Sequence, residues 1–269
     1  MLQEAIKNQD QESLLGLSKI ACSLCENHTR LLLAKFDPHG AHLIQMVLKI
    51  TSIELQYPTE ESASPISFSF WYSLQDEFES MDRIRQQNWS RMIHMLFYQL
   101  VERLIVKCKH PNMDRWSAEE KEQYRVYRID VSDTLMYIYN LLNINMLHYM
   151  VDLLRRQMQT APDDWATIES LLFCFYSIVE SCEAEGDFIL PVVEILPKLD
   201  MMNPYLADTC MYTVGALAEW LMDRVDYLPI LLPIVMPGLQ VWPYIPNPES
   251  FVRDLIFGFR KKILLSPRC

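Results

Sequence analysis

Cys22, Cys25 and His28 fall in a C-x-x-C-x-x-H pattern with His39 and His42 close behind, and four such side chains could hold a zinc ion. The two cysteines stand three apart within LSKIACSLCENH, where both fit the apolar face of a helix, so packing is the simpler account and no metal site is expected. Two acidic pairs, Asp130 with Asp133 and Asp163 with Asp164, could begin a magnesium site for a diphosphate in an all-α enzyme. Such a site asks for a third acid shortly after the pair, and DDWATIE places Thr167 and Ile168 before Glu169. Asp163, following Pro162, reads better as a helix entry. The sequence has no glycine-rich phosphate loop, nucleophile elbow or convincing Cys/His pairing. The chain is therefore expected to work by binding and not by catalysis, with no catalytic residue and no cofactor.

The elements that must position any binding residues are helices. Half of the 269 residues are hydrophobic, glycine occurs only six times, and Leu, Met, Ala, Glu and Gln recur at three- and four-residue intervals. The fold class expected is all-α. Helical patterns come in pairs: 12–34 with 40–56, then a helix from Phe68 with a long one from Asn88. Ser117 and Glu120 form an S-x-x-E capping pattern before a helix running to about Leu142, followed by 145–159. Trp165–Glu183 pairs with Phe188–Leu199, and Asn203-Pro204 starts a helix that pairs with Leu228–Leu239.

One phrase occurs twice. VSDTLMYIYN contains Asp133-Thr134-Leu135-Met136-Tyr137, and LADTCMYTVG contains Asp208-Thr209-Cys210-Met211-Tyr212, 75 residues later. That offset is close to two units of a HEAT or armadillo repeat at ~40 residues each. At 100° per residue, Val131, Leu135, Tyr139, Leu142 and Met146 share one face, as do Leu206, Cys210, Val214, Leu217 and Leu221. The opposite faces hold Asp133, Tyr137 and Asn140 in one copy, and Asp208, Tyr212, Gly215 and Glu219 in the other. The candidate partner-binding residues are Asp130, Asp133, Tyr137, Asp208, Tyr212, Glu219 and Trp220, the last as an aromatic anchor although core packing is the simpler account of it.

Charge narrows the partners. The net charge is −11, and residues 251–269 hold five basic side chains against one acid, which leaves −15 on the rest. A body without clustered Lys and Arg is a poor fit to nucleic acid and a better one to basic proteins. Seven scattered cysteines suggest a reducing compartment, and the start MLQEAIKNQD shows no secretory signal. Residues 227–246 are uncharged and long enough to span a bilayer, but five prolines argue for a buried, kinked helix and against membrane insertion.

CENHTRLLL (25–33), FWYSLQDE (70–77) and WSAEEKEQYRVYRIDVSDTLMYIYNLL (116–142) resemble the middle of the importin-β-like nuclear transport receptors, the karyopherins. Trp165-x-x-x-Glu169-Ser-Leu-Leu with Thr213-x-Gly-Ala-Leu-Ala-Glu-Trp-Leu221 resembles a helix pair widespread in that family. The resemblance runs over roughly residues 12–240. It implies an α-solenoid of HEAT-type repeats over 1–240 followed by a divergent basic tail at 241–269. It also implies protein cargo bound on the inner surface, shuttling between cytoplasm and nucleus, contacts with nucleoporins, and control by the small GTPase Ran. The family's main Ran-binding repeats lie N-terminal to the part resembled, so weak Ran binding is expected. The alternative is a HEAT scaffold for protein interactions without a transport role.

Overall fold

The computed structural model describes residues 2–8, 10–34, 38–179, 187–222 and 224–241. The chain divides at Asn143 into two compact units, Met1–Asn143 and Ile144–Cys269. Among the described residues every regular element is a helix, as the periodicity predicts. Of the tail proposed at 241–269, residues 242–269 lie outside them, as does the end of the Trp165–Glu183 pattern.

The first unit contains α1 (Leu2–Lys7), α2 (Gln11–Asn27), α3 (Thr29–Ala34), α4 (Pro38–Thr51), α5 (Phe68–Glu79), α6 (Arg83–Lys107) and α7 (Ala118–Leu142). The helices α2, α5 and α7 pack in succession, with α3 also against α5, while α4 lies on α2 and α6. Their shared core is aromatic at its centre. Trp71 is fully buried, 5.0 Å edge-on from Phe70 and 6.3 Å from Phe97. Its indole N–H donates to Thr51 Oγ1 at 2.9 Å, so the one polar atom of the ring is satisfied inside the core.

Side-chain hydrogen bonds accompany the points where the helices depart from the sequence patterns. The 12–34 pattern breaks at His28, whose backbone leaves helical geometry (φ −123°, ψ 21°), and beside the break the Thr29 hydroxyl donates to the carbonyls of Cys25 and Glu26. The 40–56 pattern ends at Thr51, whose hydroxyl bonds Val47 O and Ser67 Oγ. A loop containing a cis Tyr57–Pro58 peptide follows. Helix α6 starts at Arg83, five residues before the expected Asn88, because the Asp82 carboxylate caps it by accepting from Arg85 N at 3.0 Å. The Ser117/Glu120 capping box forms as predicted.

The second unit contains α8 (Ile144–Thr160), α9 (Trp165–Val179), α10 (Leu190–Ile195), α11 (Pro204–Ala216), α12 (Ala218–Met222) and α13 (Leu228–Val241). Helix α9 packs between α8 and α11, which accounts for its apolar character on all sides. The expected Phe188–Leu199 helix is three short pieces: 3-10 turns at Asp187–Ile189 and Leu196–Lys198 flank α10. Pro191 and Pro197 each sit in a first helical turn, the position that tolerates a missing N–H. Asn203 caps α11 through Tyr205 N and Leu206 N, as read from the sequence. The pattern then breaks at Leu217, so residues 204–222 form two helices and not one. Helix α13 buries Leu231 and Ile234 but exposes Ile230 and Leu232, so its first half is amphipathic and not buried all round as expected. No helix among the described residues is long and apolar enough to cross a membrane.

Candidate functional site

The repeated phrase has similar but not identical surroundings in the two units: its threonine and third residue are buried in both, whereas Met136 is half-buried and Met211 buried. Its aspartate points outward: Asp133 is exposed and Asp208 half-buried. Its threonine points inward. Thr134 is 1% exposed and its hydroxyl donates to Asp130 O at 2.8 Å, while Thr209 is 5% exposed and donates to Glu169 Oε1 at 2.6 Å. The third position, Leu135 or Cys210, is fully buried. The tyrosine reaches the preceding helix of the same row and meets another tyrosine there. Tyr137 of α7 lies 4.8 Å from Tyr72 of α5, and Tyr212 of α11 stacks at 5.7 Å and 24° on Tyr176 of α9. The echo thus encodes an outward carboxylate one turn before an interhelical tyrosine pair, over a polar-capped core. The core stripes expected around it are buried, except that Tyr139 is half-buried.

The α7 face is acidic and only partly balanced. Asp130 and Asp133 lie one turn apart, both exposed, and burial followed by the Asp133 charge raises the Asp130 pKa. Tyr57 in the neighbouring loop is also raised, by burial first and then by Glu61 and Asp130. Arg125, a basic residue earlier on α7, is held by Glu122 through two bonds of 2.9 and 2.8 Å. On the same side of α7 as the acids, Val126 and Ile129 remain 41% and 44% exposed. In the second unit, burial and then the Asp208 charge raise the Tyr212 pKa.

Two of the remaining sequence candidates part company. Glu219 is exposed, whereas Trp220 is 5% exposed, packed 5.8 Å from Tyr227 with the Arg224 guanidinium 4.5 Å above its ring. Trp220 is a packed side chain and not a surface anchor. The C-x-x-C-x-x-H residues do not converge either: Cys22 and Cys25 face the core, with burial pushing their thiols up to about 12 and about 11, and His28 is exposed.

Sequence reasoning missed the buried polar cluster that holds the loop between α4 and α5. Lys107 Nζ donates to Ile53 O at 2.9 Å, Leu55 O at 2.8 Å and Glu61 Oε1 at 2.9 Å. Glu61 in turn accepts from Ala63 N, Ser64 N and the Ser64 hydroxyl, which also bonds Tyr127 OH at 3.1 Å. Tyr57 stacks on Tyr127 at 4.6 Å, which sets the loop beside Asp130. The available signal was Lys107 standing seven residues after Leu100 and three after Leu104, a lone charge on an apolar face.

Residues 109–145, which contain all of α7 and three of the candidates, match a family model described as "Importin 13 repeat". Importin-13 of Homo sapiens is 36% identical over 262 residues, covering 94% of this chain and 27% of the relative. The chain is an importin-13 relative. It is also 24% identical over 255 residues to "Transportin MOS14" of Arabidopsis thaliana, covering 86% of this chain and 26% of that protein. A solved structure titled "Importin13 cytosolic state" superposes with a TM-score of 0.84 at 28% identity, over 97% of this chain and 32% of that one. The fold class is therefore that of the importin-13 structure, an all-α solenoid of HEAT-type helix pairs. This importin-13 relative spans about a quarter of the length of the curated proteins it matches. The relatives are named as importins and a transportin, names of transport receptors and not of enzymes.

Proposed function

We propose that the chain is the cargo-binding segment of a nuclear transport receptor, and that it binds basic proteins through its outward acid–tyrosine faces: Asp130, Asp133 and Tyr137 on α7, and Asp208, Tyr212 and Glu219 on α11 and α12. The observation that carries the transport reading is the 36% identity to human importin-13 over 94% of the chain. The net charge of −11 favours basic partners by steering encounter and by matching charge at contact. Ran and nucleoporins are the further partners this reading implies, with distribution between cytoplasm and nucleus.

The test is entry of a fluorescent fusion of the chain, too large for passive diffusion, into nuclei of permeabilised cells, beside an inert fusion of equal size. Nuclear accumulation above the inert control is expected. Exclusion equal to that control overturns the transport reading and leaves a HEAT-type interaction segment.

A further inference from the structure

Resting on the partner-binding reading above, we propose that each copy of the repeated phrase builds a cradle for one arginine side chain: the carboxylate (Asp133, Asp208) takes the guanidinium edge, and the interhelical tyrosine pair (Tyr72 with Tyr137, Tyr176 with Tyr212) takes its flat face.

The geometry separates arginine from a generic cation. The carboxylate precedes its tyrosine by four residues, which on a helix is a rise of about 6 Å along one face, so a single side chain lying along that face can touch both. The tyrosine pairs join neighbouring helices, with ring centroids at 4.8 and 5.7 Å, and one ring of each pair stays open to solvent: Tyr72 is 46% and Tyr212 38% exposed, while Tyr137 and Tyr176 are half-buried. An ammonium gains little from this arrangement because it is a compact, strongly hydrated point charge. A guanidinium is planar and weakly hydrated, stacks on aromatic faces, and still presents N–H groups at its edge to a carboxylate. The protein makes a contact of this kind internally, with the Arg224 guanidinium 4.5 Å over the Trp220 ring.

The surroundings agree with that occupant. On α7 Arg125 is committed to Glu122, and Asp133 has Asp130 beside it, so charge complementarity calls for a cation from outside. Val126 and Ile129, exposed two turns and one turn before Asp133, give an apolar surface for the aliphatic stem of the arginine or for an apolar neighbour in the partner. In the second unit Tyr205, 40% exposed and stacked at 6.0 Å on Trp165, stands one turn before Asp208 in the same role. The partner is therefore a basic protein segment in which arginines sit among apolar residues.

The experiment is a fluorescence-anisotropy titration of the full chain with three fluorescein-labelled synthetic peptides of equal length. They carry arginine, lysine or citrulline at the same positions in a common Gly/Ser/Leu background. The arginine peptide is expected to bind about fivefold or more tightly than the lysine peptide, and the citrulline peptide without saturation. The double variant Tyr137→Leu with Tyr212→Leu should bring arginine down to the lysine value. Tyr137→Phe with Tyr212→Phe keeps the rings and should keep the preference, and this pair decides the matter if the leucine variant loses its helical circular dichroism. Asp133→Asn with Asp208→Asn should weaken both charged peptides. Equal affinity for arginine and lysine that still depends on Asp133 and Asp208 overturns the cradle and leaves the acidic partner face standing. Binding of neither peptide, or binding untouched by the aspartate variants, overturns both.

Discussion

Asp130 sits where its own charge is unwelcome, because burial and then the Asp133 carboxylate raise its pKa above the ordinary aspartate range. In the window between the unfolded and folded pKa values the folded chain holds a proton that the unfolded chain has lost. Stability therefore falls as pH rises through that window, and the penalty persists at neutral pH. Asp130→Asn removes it. The expected result is a Tm slightly above the parent at pH 7, with the gap closing as pH is lowered below the usual aspartate range; a gap constant with pH would assign Asp130 to packing. A carboxylate kept in this position is consistent with a surface selected for an external cation. At this scale the sequence was legible where a single helix decides exposure. Asp133 came out exposed and Leu135 buried because the 100° projection holds along an unbroken α7. Trp220 is buried, in keeping with the packing account, although the backbone leaves helical geometry at Leu217 (φ −88°, ψ 3°) and α12 follows as a separate helix.

Helices were legible wherever caps and apolar periods agreed, as at Ser117 and Asn203. Their ends were not legible at His28, where the backbone leaves helical geometry without a glycine or proline to mark it, or at Thr51, whose hydroxyl is engaged by the distant Ser67. The joint between α6 and the loop after α4 was hidden because Lys107 and Glu61 are 46 residues apart, so that even Lys107's place on an apolar face does not name its partner. Both are in fact buried, at 8% and 1% exposure, and every acceptor on the ammonium is fixed by the fold. Lys107→Met leaves Glu61 buried without its counter-charge and the Ile53 and Leu55 carbonyls without their donor. A loss of about 3 kcal/mol or more is expected in urea denaturation, the range for breaking one side of a buried pair. A loss within about 0.5 kcal/mol, typical of a surface change, would mean that the loop is held by its tyrosine stacking alone.

Across the whole molecule, a receptor is switched when two ligands bias one shared equilibrium, so the switch requires both sites in the same protein. The chain spans 27% of human importin-13, and the family resemblance puts the main Ran-binding repeats outside the region resembled. Titration with Ran-GTP, using Ran-GDP as control, is expected to give a Kd weaker than about a micromolar and no displacement of bound basic peptide. Tighter, nucleotide-selective binding would mean that these helix pairs hold a Ran site of their own. The Lys107 ammonium has a different bearing on the life of the first unit. Its three acceptors lie 54, 52 and 46 residues back along the chain, so no local segment can form these bonds early. They close only after the end of α6 and the loop have both arrived, so Lys107→Met is expected to leave the refolding rate nearly unchanged and to speed unfolding in stopped-flow denaturant jumps; slowed refolding would put the contacts in the folding nucleus. On the first outcome Lys107 is a latch: it does little to bring the unit together, and it sets how long the unit stays closed.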